Sequence, residues 1–154
     1  MIKILAIDDK KDNLISLEAI IKNALPDTSL HTVLSGEEGI ELAIFEDPDV
    51  ILLDIIMPEM DGLDATREIR KLEEVSLVND EEPIPIIALT ARAMRGDRQA
   101  CFNAGMNGYL SKPFRNADFQ MTIANYFDPA AISTDEAFET SSAEQQANES
   151  LNSS

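Results

Sequence analysis

Val50-Ile51-Leu52-Leu53-Asp54-Ile55-Ile56-Met57-Pro58 decides the fold of this chain. Four aliphatic residues run without a polar interruption, which fits a short strand covered on both faces better than an amphipathic helix. A carboxylate closes the run. Asp54 therefore stands at the carboxyl end of a buried strand, with an apolar wall behind it.

Working outward, similar runs occur at Ile2–Ile7, Leu30–Leu34, Ile84–Leu89 and Gly108–Leu110. Helical spacing fills the gaps. Leu14, Leu17, Ile20-Ile21 and Leu25 share one stripe before Pro26, with Asp12 or Asn13 as the expected cap. Ser35-Gly36-Glu37-Glu38 is a capping-box pattern opening a second helix that ends before Asp47-Pro48-Asp49. Gly62 to about Glu74, Arg95 to Ala104 and Ala117 to Tyr126 predict three more helices. Strand and helix alternate five times, so the expected fold class is α/β, a doubly wound parallel sheet. The connection from Leu72 to Pro85 is long and acidic, and is expected to be a solvated loop, the alternative being an elongated third helix followed by a turn.

The 154 residues suit one domain, expected over residues 1–128. Residues 129–154 differ in character: Ala130 to Ser154 has five acids, no Lys or Arg, and is rich in Ser and Thr. An acidic tail of that composition is expected to be disordered rather than to form a second domain.

The net charge of −17 argues against a nucleic-acid-binding or anionic-membrane surface, because Lys10-Lys11 and Arg67…Arg70-Lys71 are too small to reverse the field. Cys101 is the only cysteine, so there is neither a disulfide framework nor a Cys-based zinc site, and a buried structural role suits it best. His31 is the only histidine and makes neither a metal site nor a triad. No apolar run reaches membrane-spanning length, and with a strand at the start no signal peptide is expected. The expected location is cytoplasmic.

Four charged residues follow predicted strands. Asp8 and Asp9 follow Ile2–Ile7, Asp54 follows Val50–Leu53, and Lys112 follows Gly108-Tyr109-Leu110-Ser111. In an open parallel sheet, these ends converge on one crevice where ligands bind. Three close carboxylates repel one another, and a divalent cation relieves that repulsion. A hard cation such as Mg²⁺, with Mn²⁺ as the alternative, takes oxygen ligands. Asp9 and Asp54 can supply them, and Asp8 directly or through water. Asp54 is the candidate nucleophile, with Lys112 stabilising the transferred phosphoryl oxygens. Thr90 ends its strand in the same crevice, small Ala91 lets a backbone N–H approach an oxyanion, and Tyr109 can move as the site fills. Each residue type has ordinary structural uses. Such positions on four different strand ends together point to phosphoryl transfer.

These residues resemble the receiver domain of two-component response regulators over about residues 1–128. The resemblance rests on Ile7-Asp8-Asp9, Leu53-Asp54-Ile55-Ile56-Met57-Pro58-Glu59-Met60-Asp61-Gly62, Leu89-Thr90-Ala91 and Gly108-Tyr109-Leu110-Ser111-Lys112-Pro113-Phe114. It implies a flavodoxin-like sheet of five strands in the order 2-1-3-4-5. It also implies Asp54 as phosphoacceptor and Mg²⁺ held by Asp8, Asp9, Asp54 and the Ile56 carbonyl. Thr90 would bond the phosphoryl group, Ala91 would offer its backbone to it, Lys112 would pair with it, and Tyr109 would be the switch aromatic. The resemblance further implies a cis bond at Lys112-Pro113 and a reshaped face of the fourth helix, last strand and fifth helix. Its implied partners are a sensor histidine kinase or histidine phosphotransfer protein and a downstream protein target, the chain being a monomer or a phosphorylation-dependent dimer. Thr90 to Asp97 and Ala104 to Tyr109 resemble receivers attached to hybrid sensor kinases. Arg92 and Ile56 occupy flanking positions that influence acyl-phosphate lifetime in that family.

Such a protein is a signalling phosphoacceptor that promotes only its own phosphorylation and dephosphorylation, not an enzyme acting on other substrates. Two other classes compete with it. A haloacid-dehalogenase-like phosphatase normally carries a second Asp two residues after its nucleophile, where this chain has Ile56. A receiver-like binding module not regulated by phosphorylation would have no need of the intact Asp8, Asp9, Asp54, Thr90 and Lys112 set. The Gly-rich Lys-Ser/Thr segment of a P-loop hydrolase is missing.

Overall fold

The computed structural model describes residues 2–76, 83–90, 97–112 and 114–125. Ala91, the acids Asp80-Glu81-Glu82, Pro113 with its expected cis bond, and the 129–154 tail lie outside the described residues.

The elements are β1 (Ile2–Ile7), α1 (Lys11–Ala24), β2 (Thr28–Val33), α2 (Gly36–Glu46), β3 (Val50–Asp54), α3 (Gly62–Ser76), β4 (Ile86–Thr90), α4 (Asp97–Ala104), β5 (Gly108–Ser111) and α5 (Asn116–Ala124). All five strands are parallel, in the order β2-β1-β3-β4-β5. The aliphatic runs of β3 and β4 are buried at every position, as a sheet covered on both faces requires.

Successive side chains on a strand point to opposite faces, so one run feeds two cores. Ile4, Ala6, Val50, Leu52, Ile87 and Leu89 meet Leu14, Leu17 and Ile21 of α1 and Phe119 and Ile123 of α5. Leu5, Ile7, Ile51, Leu53, Ile86 and Ala88 meet Ala43 of α2, Ala65 and Ile69 of α3, and Cys101 of α4. Cys101 is fully buried there, the structural role its lone occurrence suggested.

The strand pairings align the carboxyl ends. Ile7 faces Leu53, Asp54 faces Leu89 and Thr90 faces Ser111, so the residues that follow or end these strands form one rim.

Boundaries differ from expectation where tertiary contacts intervene. Lys10, not Asp12 or Asn13, is the N-cap of α1, and it makes no side-chain capping bond. The Lys10 N–H instead donates to Asp8 Oδ1 at 2.9 Å. Ser35 Oγ accepts from the Glu38 N–H at 3.2 Å, but the Glu38 carboxylate takes the Ser35 hydroxyl rather than its backbone N–H. β2 begins at Thr28, and Leu34 lies past its end, exposed. β4 begins at Ile86 rather than Ile84, because the Ile84 N–H is taken by Glu73 Oε2 at 2.7 Å and Pro85 has none to give. Helix α3 runs to Ser76, two residues past Glu74.

Candidate functional site

The three acids meet at the rim. Asp8, Asp9 and Asp54 each offer a carboxylate oxygen, and these oxygens lie within 4.8 Å of one another. Asp8 and Asp54 are buried, and Asp9 is half-buried. Asp8 is held from both sides: Oδ1 accepts from the Lys10 N–H and Oδ2 accepts from Lys112 Nζ, each at 2.9 Å. Asp9 Oδ1 is buried and has no hydrogen-bond partner among the described residues.

Charge crowding shows in Asp54, whose carboxyl pKa is pushed from 3.8 up to about 6. Burial is the largest cause and the Asp8 charge the next; Lys112 and the backbone N–H of Ile56 oppose it, and Asp9 adds to it. One ammonium against three acids leaves the crevice with excess negative charge. Hard oxygen donors, that excess and an orphaned Asp9 oxygen together fit a divalent cation such as Mg²⁺.

The β3–α3 loop that carries Asp54 into the crevice has a defined path. Ile55 N–H donates to Leu89 O at 3.1 Å, Gly62 N–H to Ile55 O at 2.8 Å, and Asp64 N–H to Asp61 Oδ1 at 2.9 Å. Glu59 sits at φ 66°, a left-handed conformation that helps turn this loop. Gly62 is required by close approach: a Cβ there would meet the Asp54 carbonyl and lie 2.8 Å from Ile55 Cα. Ile56 points its side chain outward, 53% exposed beside the acids.

Thr90 is buried at the end of β4, and its carbonyl accepts from the Lys112 N–H at 2.7 Å, which ties the last two strands at the rim. Tyr109 is half-buried against the α2–α3–α4 core, and the Arg98 guanidinium lies 5.5 Å above its ring centroid. Asp8, Asp9, Asp54 and Lys112 thus come together as expected, Thr90 lies on the same rim, and Tyr109 lies apart on the α4 face. The sequence reading missed two contributors. The Lys10 N–H becomes legible only once Asp8 is known to turn toward it, and Arg98 carries no motif of its own.

Fold and site together define an α/β protein with an acidic, cation-ready crevice at its strand ends. The chain belongs to the response regulator receiver domain family, whose pattern matches residues 4–124. It is a receiver domain of two-component signalling. It is 36% identical over 125 residues to hybrid signal transduction histidine kinase G of Dictyostelium discoideum, covering 81% of this chain. The match spans only 4% of that kinase's length. Among solved structures, the receiver domain of sensor histidine kinase PA1611 from Pseudomonas aeruginosa superimposes with a TM-score of 0.67 and 37% identity. That match covers 80% of this chain and 95% of the other, which holds a magnesium ion in its active-site cleft. The Saccharomyces cerevisiae Ssk1 receiver, crystallised with the histidine phosphotransfer protein Ypd1, matches with a TM-score of 0.74, covering 89% of this chain and 96% of that one. At 23% identity, that likeness is one of fold alone. No helix among the described residues is long and apolar enough to cross a membrane.

Proposed function

We propose that Asp54 accepts a phosphoryl group from a phosphohistidine donor and that the resulting acyl phosphate is the signal. The observation that carries this reading is the oxygen cluster of Asp8, Asp9 and Asp54 beside Lys112, with an Asp9 oxygen left unpartnered among the described residues. Asp8, Asp9, Asp54 and the Ile56 carbonyl hold Mg²⁺ in this reading, and Mn²⁺ can replace it. When bound, the cation neutralises the carboxylates and the oxygens of the transferred group.

An Asp54 carboxylate oxygen forms the new bond to phosphorus as the P–N bond of the donor imidazole breaks. The bonding electrons stay on the ring nitrogen, which takes up a proton. Lys112 stabilises charge on the transferred oxygens, and Thr90 with the Ala91 N–H binds the group once transferred. Tyr109 then moves, and the α4–β5–α5 face changes shape for a downstream protein. The donor is a sensor histidine kinase or a histidine phosphotransfer protein, and the reaction takes place in the cytoplasm.

Intact-mass spectrometry after incubation with acetyl phosphate and Mg²⁺ tests the reading, with wild type beside Asp54→Asn. A phosphoryl adduct in wild type only, lost on chelation, is expected. A beryllofluoride repeat covers a short-lived adduct. Absence of both the adduct and beryllofluoride binding would overturn the reading.

A further inference from the structure

We infer that Arg98 is a positioning residue for Tyr109: its guanidinium, seated over the ring, holds the aromatic half-exposed on the α4 side and opposes its burial. This rests on the proposal that Tyr109 moves when Asp54 is phosphorylated. Three placements carry it. Tyr109 pairs in register with Ala88 of β4, so both side chains lie on the face covered by α4. Thr90 lies two residues beyond Ala88 on the same strand and hence on the same face. Arg98, in the first turn of α4, places its guanidinium carbon 5.5 Å from the ring centroid.

Beside the ring, Ala88 contributes only a methyl group, and Thr90 stands next along that face. A ring that turns that way leaves the guanidinium behind. Arg98 is exposed, and a cation–π contact at an exposed site biases a two-state equilibrium by about two- to fivefold. The contact therefore sets how strongly an occupied crevice must pull before Tyr109 is buried. A rival account is that the aliphatic stem of Arg98 merely covers the ring. Arg98→Met retains such a stem without the cation, and Arg98→Lys retains a cation.

The chain has two tyrosines and no tryptophan, so Tyr126→Phe makes Tyr109 the sole tyrosine emitter. In that background, with Mg²⁺ saturating, tyrosine emission is followed as beryllofluoride is added. We expect Arg98→Met to reach its midpoint at about two- to fivefold lower beryllofluoride, with Arg98→Lys close to the parent. Thermal unfolding of Arg98→Lys is expected to match the parent, and that of Arg98→Met to fall by a few degrees at most. A parent-like midpoint for Arg98→Met, while emission still responds, overturns the inference and leaves the receiver reading intact. Unchanged emission in every protein, with Asp54 still phosphorylated by mass, shows that Tyr109 does not move, and the inference falls without touching the phosphoacceptor.

Discussion

Lys112 Nζ lies 2.9 Å from Asp8 Oδ2, joining two residues 104 positions apart. Their strands are not neighbours, since β3 and β4 separate β1 from β5. The pair closes across two intervening strand ends. The Lys112 side chain crosses the rim past the strand ends that carry Asp54 and Thr90. It is this crossing that places a positive charge against the acids.

Lys112→Met tests that arrangement. The substitution keeps length and apolar bulk but strips Asp8 of its cation while Asp54 and Asp9 remain close. With the two side chains 19% and 3% exposed, a metal-free loss of about 3–5 kcal/mol in unfolding free energy is expected. Saturating Mg²⁺ recovers part of it, and the variant still binds the cation. Urea unfolding with and without Mg²⁺ measures both, and equal metal-free stabilities would show the pair to be energetically neutral.

Asp54→Asn is expected to stabilise the metal-free protein at neutral pH. The Asp54 carboxyl titrates near 6 when folded against 3.8 in the unfolded chain. Between those values the folded state binds more protons, so stability falls as pH rises through the window. Above it, the charged carboxylate costs on the order of 2–3 kcal/mol, a cost that asparagine lacks. Wild type and variant should converge below about pH 4, and Mg²⁺ should narrow their gap at pH 7.5. Chelator-treated melts from pH 4 to 8 check this, and a less stable variant at pH 7.5 would refute it.

How much of this was legible in the sequence depends on the range of the interactions. The continuous aliphatic runs of β1, β3 and β4 announce themselves, and parallel topology then brings Asp8, Asp9, Asp54 and Lys112 to one rim. The start of β4 does not announce itself, because Ile84 looks like a strand residue until Glu73 claims its N–H. Lys10 at the N-cap is hidden for a similar reason, since Asp12 and Asn13 are better caps by residue type. Arg98 over Tyr109 depends on how α4 settles against β5, which no local pattern encodes.

Arg70 also lies in that hidden class. Its Nη1 donates to Glu73 Oε1 at 2.6 Å, Nε to Gly105 O at 2.9 Å, and Nη2 to Asn107 Oδ1 at 2.7 Å. Gly105 adopts φ 112°, open to glycine alone at low cost, and a Cβ there would lie 2.9 Å from Arg70 Cγ. Arg70→Met leaves the buried Glu73 carboxylate without its cation, and a loss of about 3–5 kcal/mol is expected. Arg70→Met combined with Glu73→Gln should lose clearly less, because the stranded charge is gone. Mg²⁺ affinity should stay within about twofold of wild type, since additivity holds for sites with no shared partners. Strictly additive losses in unfolding free energy would show the two side chains to be uncoupled.

Gly62→Ala separates the loop's shape from the acids it presents. The added methyl would meet the backbone of Asp54 and Ile55, neither of which can swing aside as a side-chain tip would. The Gly62–Ile55 hydrogen bond of 2.8 Å holds the loop against that contact, so the strain must move the segment that follows Asp54. A stability loss of about 1–3 kcal/mol is expected from such overpacking. Because the same segment orients the Asp54 carboxylate, Mg²⁺ affinity should weaken by roughly tenfold, as when support behind a metal ligand is lost. Calorimetric titration with Mg²⁺ beside urea unfolding measures both quantities. Wild-type affinity together with lost stability would mean that Asp54 keeps its place independently of the loop, and that β3 alone positions the carboxylate.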